Sequence, residues 1–385
     1  MTGVEMSESY SKYLRKAGDQ LVPTVLGLSK LEEIVTDVQG PVYAFKHTFS
    51  PVVVSAAMAR LSRRMGDMRT TILDEFVDVQ DAEALLQRVI TGYGDDSVQQ
   101  LAGIHLVVEG ASNLLTKLLE WCRLAAYLEQ STRYIYFDQK DESGQYRYYV
   151  PAGLSANTER VYRETMNDIF HEYSFMVREL TDYLRKKNPE PSERKERIAW
   201  LNSTRAAACD AVRPVLPAAT KSTVGIFASA QAADRMIMNL LSEELPEARV
   251  AGQRLLREAR KVIPTFLERT DLPTRGGAII SYRADTKARV KELANKYLES
   301  TQSSLFTTGQ PRLVSWWPDN ELDLVPEILY EHSDMTLRQI EGQVRGLSLG
   351  KKIEIFKTYI GERLNRRHRP GRAFEMAHFE WELDG

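Results

Sequence analysis

The sequence predicts a globular protein in which long helices alternate with a few short strands, spread over two domains. Three observations carry this. The chain has 385 residues, 43% hydrophobic and 27% charged, which is enough apolar material for more than one core. Tyr162, Met166, Ile169, Phe170, Tyr173, Val177, Leu180 and Leu184 recur at three- and four-residue steps, the period of an amphipathic helix. Arg133–Asp138 and Gln145–Val150 are short Tyr-rich runs joined across Glu142-Ser143-Gly144, the pattern of a β-hairpin.

The remaining elements follow in order. Residues 1–40 are mixed in composition and expected to be peripheral. Pro41–Lys46 is a short β-prone run. Pro51 opens a helix to residue 65, because proline is tolerated in the first helical turn. Asp81–Tyr93 is a second helix with Asp81 as N-cap. The turn Gly94-Asp95-Asp96-Ser97 leads into a long, mostly apolar helix from Val98 to about Leu124. Beyond the hairpin and the amphipathic helix, 186–197 is a charged loop with two prolines. Ile198–Val212 is a helix, Lys221–Phe227 a strand, and Ala230–Leu241 and Glu247–Val262 are helices. Residues 264–277 hold two Pro and two Gly and read as the domain linker. Arg312–Trp317 and Leu322–Tyr330 read as strands, Met335–Arg345 and Lys351–Arg366 as helices. Phe374–Leu383 reads as the start of a further helix.

The chain also suggests an internal repeat. Ser97–Glu109 can be laid on Arg372–Leu383, so that Ala102 meets Ala377, Ile104 meets Phe379, Leu106 meets Trp381 and Val108 meets Leu383. A polar turn precedes each copy, 94–96 in the first and 369–371 in the second. The second copy is expected to be cut off early in its long helix.

Composition excludes several classes. Lys+Arg is 51 and Asp+Glu 53, a net charge of -2, so no nucleic-acid partner is expected. No run of 18 apolar residues exists, so no membrane span is expected, and the N-terminus lacks an apolar signal core. A cytoplasmic address follows. Cys122 and Cys209 are too few for a disulfide framework or a zinc site and read as small core residues. No pair of the six histidines has metal-ligand spacing, and no metal is expected. His105, in the apolar helix, reads as a core histidine rather than a catalyst.

The sharpest local pattern is Glu129-Gln130-Ser131-Thr132-Arg133-Tyr134. In an extended segment Glu129, Ser131 and Arg133 share one face. Arg and Ser together make a phosphate clamp, a planar fork of donors beside a small hydroxyl. Glu129 could accept from a sugar hydroxyl or a base N–H. The competing reading is a Glu–Arg ion pair on a solvated strand.

These residues resemble the end of the signature of the flavin-dependent thymidylate synthases, Arg-His-Arg-x-x-Ser-x-Asn-Glu-x-Ser-x-Arg-Tyr. Set on residues 121–134, it matches at Arg123, Glu129, Ser131, Arg133 and Tyr134. Trp121, Cys122, Ala126 and Leu128 depart from it. Ser55–Arg64 is similar to the family's early Ala-Ala-Arg-x-Ser helix, and Arg213-Pro214-Val215-Leu216-Pro217 to its Arg-x-x-Leu-Pro. The likeness spans about residues 41–265.

The resemblance implies an α+β fold of long helices packed on small antiparallel sheets, and a homo-oligomer with sites shared between subunits. It implies reductive methylation of dUMP to dTMP, with methylenetetrahydrofolate supplying the carbon and NADPH-reduced FAD the hydride. It places dUMP on Glu129, Gln130, Ser131, Thr132, Arg133 and Arg213. Of the flavin contacts it leaves only Arg123: the Arg-His pair falls at Trp121 and Cys122, and the later Asn-x-Arg at Ser229 and Gln231. The substrate-activating Arg falls at Leu240. Arg367-His368-Arg369 spells the family triplet but reads as a basic turn. The repeat would then place a degenerate first copy at 41–265 after an extension of 1–40, a linker region at 266–309 and a partial second copy at 310–385, whose own signature is expected beyond Gly385.

Three readings stand: a flavin-dependent thymidylate synthase homologue active in complete tandem form, a non-catalytic nucleotide-binding homologue with a sensing or scaffold role, and a helical structural protein.

Overall fold

The strand pair β1 (Leu14–Ala17) and β2 (Gln20–Pro23) is antiparallel and ends at Thr24. The Thr24 hydroxyl accepts from Gly27 N at 3.1 Å and so caps α1 (Val25–Ile34). This computed structural model describes residues 10–18, 20–46, 51–61, 67–77, 100–298, 311–365 and 367–383. The chain divides into two units, Met1–Asn295 and Lys296–Gly385. Next come α2 (Pro51–Leu61) and α3 (Met68–Glu75), the latter capped by Asp67. Leu14, Leu31, Ile34 and Val35 are buried in the main core with Ala56, Ala57 and Ile72. These four residues are therefore part of that core, whereas composition suggested that 1–40 is a peripheral extension. In Pro41–Lys46 only Phe45 pairs, in a single bridge with Val35. The expected helix at 81–93 and turn at 94–97 lie outside the described residues.

In place of the long helix expected over 98–124 stand β3 (Gly103–Ser112) and α4 (Asn113–Glu120), followed by β4 (Ala125–Glu129). The reason is local. Ile104 and Leu106 are buried while His105 and Val107 are exposed, an alternation of period two. Gly110 takes φ +69 at a bulge between Val108 and Ala111, a conformation that glycine adopts without a Cβ penalty. His105 is thus no core histidine; its ring lies 4.7 Å from that of Phe227 on the sheet's open face.

The arms 133–138 and 145–150 form no ladder. The turn is present, with Gly144 N donating to Asp141 O at 2.9 Å. The arms supply aromatic rings instead: Phe137, Tyr146 and Tyr148 are buried against Phe170, Tyr173 and Val177. Those last three come from α5 (Ala156–Lys187), the helix read from its period, which packs on α6 (Arg194–Val212). This is the second core of the unit.

β5 (Lys221–Ser229) lies between β3 and β4 in an antiparallel sheet of order β3-β5-β4. Ser229 caps α7 (Ala230–Leu241), and α8 (Pro246–Ala259) packs against it. Residues 264–277, read as a linker, are instead folded onto this unit. A helical turn, α9 (Pro264–Leu267), buries Phe266 and Leu267, and the Thr270 hydroxyl donates to Asp234 Oδ1 at 2.6 Å. A Cβ on Gly276 would meet Thr270 O at 2.0 Å, so only glycine fits there. It opens α10 (Gly276–Tyr297).

In the second unit β6 (Arg312–Trp317) pairs antiparallel with β7 (His378–Glu382). Leu322–Tyr330 is not a strand: Asn320 and Asp323 form a capping box, and a 3-10 turn leads into α11 (Val325–Tyr330). Helices α12 (Leu337–Arg345) and α13 (Leu349–Ile360) follow, and Val325, Ile340 and Val344 form the core. Phe374–Leu383 is also not a helix. Phe374 sits in a 3-10 turn against Phe356 and Tyr359, and the alternating His378-Phe379-Glu380-Trp381-Glu382 is β7. The aligned repeat positions Gly103 and His378 both begin strands.

Two expected outcomes follow. Glu247 is buried and accepts from Ser112 N at 2.9 Å and Ser112 Oγ at 2.6 Å, tying α8 to the end of β3. Glu247→Ala strands both donors and should lower unfolding free energy by about 2–3 kcal/mol in denaturant titration. Cys209 is buried, and burial pushes its thiol up to about 11. At pH 8 only about one thiol in a thousand would then be thiolate. A thiol-specific disulfide reagent should leave Cys209 unmodified in the native protein and label it in guanidinium, as read by peptide mass.

Candidate functional site

β4 ends at Glu129 because the next backbone groups find other partners. Gln130 N donates to Thr223 O at 3.0 Å, and Ser222 Oγ donates to Gln130 O at 3.3 Å. The chain then turns. Tyr134 N and Ile135 N both reach Ser131 O at 3.2 Å, and Arg133 N donates to Ser131 Oγ at 3.2 Å. The signature residues are thus not one extended face, as the strand period suggested; Ser131–Tyr134 is a turn.

That turn opens on a cleft of about 440 Å³ lined by Glu129, Gln130, Ser131, Thr132 and Arg213, with Phe137, Leu216 and Pro217 as apolar wall. Arg213 reaches it from the 3-10 turn Arg213–Val215 at the end of α6. Arg133 stands beside it. Both guanidiniums are held by one carboxylate: Arg133 Nε lies 3.0 Å and Arg213 Nε 3.2 Å from Asp210 Oδ1. The reading of Glu129 with Arg133 as an ion pair is therefore replaced by a different pairing. Glu129 faces Lys117 Nζ at 3.5 Å, and Lys117 also meets Glu120 at 3.3 Å. Burial pulls the Lys117 ammonium down, but these two carboxylates outweigh it and hold its pKa above the usual lysine value. Gln130 Oε1 accepts from Arg147 at 2.8 Å.

Sequence reasoning missed Lys117 and Asp210. Asp210 stands three residues before Arg213 on a helix, a spacing that places the two side by side; Lys117 carries no local signal.

Arg123 lies elsewhere. It lines a second cleft of about 520 Å³ with Trp121, Gln231, Arg235, Asn239 and Arg283. The positions where the resemblance expects flavin contacts are otherwise engaged. Trp121 is 82% exposed, and Cys122 is buried with Sγ 3.5 Å from Ala232 O. The Ser229 hydroxyl accepts from Ala232 N at 3.2 Å, and Gln231 Oε1 accepts from Gln100 at 2.6 Å. Leu240 is core. Arg367-His368-Arg369 lies in an exposed turn, where His368 Nδ1 accepts from Leu364 N at 3.3 Å. Among the described residues no cluster of three or more His, Cys, Asp or Glu could hold a metal ion, and no helix is long and apolar enough to cross a membrane.

Residues 45–265 match the family model described as thymidylate synthase complementing protein. Over 373 residues the chain is 31% identical to a UPF0159 protein of Chlamydia pneumoniae, covering 92% of this chain and 69% of that protein. It is 25% identical over 172 residues to the flavin-dependent thymidylate synthase of Pyrococcus furiosus, covering 37% of this chain and 69% of that one. A solved structure it is similar to is the UMP/dUMP methylase PolB from Streptomyces cacaoi bound with 5-Br dUMP, at a TM-score of 0.37 and 18% identity over 57% of this chain and 89% of that one. With the family model covering more than half of its length, this chain belongs to the thymidylate synthase complementing protein family.

Proposed function

We propose that this chain is a flavin-dependent thymidylate synthase homologue whose cleft at the end of β4 binds dUMP. The observation that carries the proposal is the convergence of Ser131 and Arg213 on one cleft, with Arg133 beside it. Neutral and cationic donors then gather at one end, where a phosphate needs them. On this reading Glu129, which lines the cleft beside Lys117, would accept from a sugar hydroxyl or a base N–H. Phe137, Leu216 and Pro217 would exclude water from one face of the base. FAD, where bound, would supply the hydride, with NADPH as its reductant and methylenetetrahydrofolate as the carbon source. Subunit association is part of the same proposal, with the open sheet face bearing Val107, Leu128 and Phe227, all exposed, as the contact.

A second reading is a non-catalytic nucleotide-binding homologue. The burial of Leu240 favours it, since the resemblance puts a substrate-activating arginine there. dUMP-dependent oxidation of NADPH, with FAD and methylenetetrahydrofolate added, separates the two.

Calorimetric titration with dUMP tests the cleft itself. Arg213→Ala should weaken binding about tenfold, or 1.4 kcal/mol. Asp210→Asn should tighten it several-fold, because the carboxylate no longer competes with phosphate for the two guanidiniums. Equal dissociation constants in wild type and both variants would remove the phosphate from this cleft.

A further inference from the structure

α10 docks on the first unit through its charged side. Arg283 donates to Asn239, Lys287 pairs with Glu243 at 2.5 Å and Lys291 with Glu244 at 2.6 Å. These three cations stand at four-residue steps, which places them on one side of the helix. Of the 22 residues of α10 only Gly276 is buried. Ile279, Tyr282, Val290, Leu293 and Tyr297 are between 42% and 69% exposed. At about 100° per residue these five, with Thr286, fall within about 80° of the circumference, next to the charged side. A helix ordinarily owes its stability to burial of its apolar stripe; in α10 that stripe faces solvent while the charged side is docked. The helix also lies outside residues 45–265, which the family model matches.

We propose that this stripe is a contact between two copies of this chain, with their α10 helices packed antiparallel. The stripe is complementary to itself in that sense. Its members follow one another at steps of three, four, four, three and four residues. Turned end for end about Ala288, the positions coincide to within one residue. Ile279 then faces the partner's Tyr297, Tyr282 faces the partner's Leu293 and Thr286 faces the partner's Val290. Each tyrosine meets an aliphatic side chain, so the layers interdigitate. A parallel pair would instead set tyrosine on tyrosine at 282 and again at 297. Charge agrees with the antiparallel sense. The flank turned away from the docked cations carries Asp285, Arg289, Glu292 and Lys296 in alternating sign, and the pairing brings Arg289 within a turn of the partner's Asp285. Area agrees as well. The five apolar side chains expose about 500 Å² per copy. Pairing therefore hides about 1,000 Å² before the flanks are counted, which reaches the size of a specific interface. The open face of the sheet, bearing Val107, Leu128 and Phe227, shares no residue with this contact.

Sedimentation velocity of the full chain from about 1 to about 100 μM should show reversible self-association in this range. Tyr282→Glu combined with Leu293→Glu should weaken it about thirtyfold or more. Both side chains are exposed, so the circular dichroism melt of the dilute protein should not change. Leu128→Glu, on the sheet face, should leave the α10 contact intact. Orientation is read by cross-linking. Ile279→Cys and Tyr297→Cys chains, mixed and oxidised, should form a disulfide-linked pair, and neither should do so alone; Cys122 and Cys209 are buried and take no part. A chain that stays monomeric throughout overturns the proposal and leaves the stripe to a different protein. Association unchanged in the folded Tyr282→Glu, Leu293→Glu chain overturns it too, as does cross-linking of each single variant to itself with none in the mixture. None of these outcomes bears on dUMP, whose cleft shares no residue with α10.

Discussion

β5 is hydrogen-bonded along both edges, and its register governs where the functional groups of the first unit lie. It pairs with β3 from Gly103↔Ser229 to Ser112↔Lys221, and with β4 from Ala125↔Ala228 to Glu129↔Val224. Val224, Ile226 and Ala228 face the core, while Phe227 is 47% exposed. A slip of one residue would exchange these faces, so the core itself enforces the register. Because β4 must stop opposite Val224, the chain turns at Ser131. Because β5 stops at Ser229, that side chain caps α7. The buried Glu247–Ser112 contact holds the far end of β3 in the same frame.

The two clefts at the ends of this sheet differ in how their cations are balanced. In the first, Asp210 lies between Arg133 and Arg213, and Lys117 lies between Glu120 and Glu129. Their charges are matched, and an incoming phosphate must share guanidiniums that are already occupied. These side chains are half exposed, so water screens the pairing and sharing is cheap. Among the described residues, Arg123, Arg235 and Arg283 of the second cleft have no such partner. On the proposed reading the first site selects by geometry at modest affinity.

Helices whose apolar residues repeat at the helical period were legible in the sequence, and α5, α7 and α8 lie where that period put them. β3 was not, because apolar residues on both faces of a short run imitate a buried helix, and β7 was not, because its alternating run was read as a helix by alignment with that same segment. Only the burial of Ile104 and Leu106 against the exposure of His105 and Val107 separates the two. The 264–277 segment misled through its composition: its prolines and glycines serve tight packing, as the 2.0 Å approach at Gly276 shows. The signature residues located the first cleft although their local conformation is a turn. Asp210 could have been read from its three-residue spacing to Arg213, whereas Lys117 was invisible because its proximity to Glu129 arises only from tertiary packing.

On the proposed reading dUMP seats its phosphate between the Ser131 turn and the start of the 213–217 segment. Amide hydrogen exchange, resolved by segment with and without saturating dUMP, tests it most directly. Protection is expected to rise at residues 129–135 and 213–217, with little change in the second unit. Protection that rises only outside these two segments, or exchange that dUMP leaves unchanged throughout, would contradict the claim.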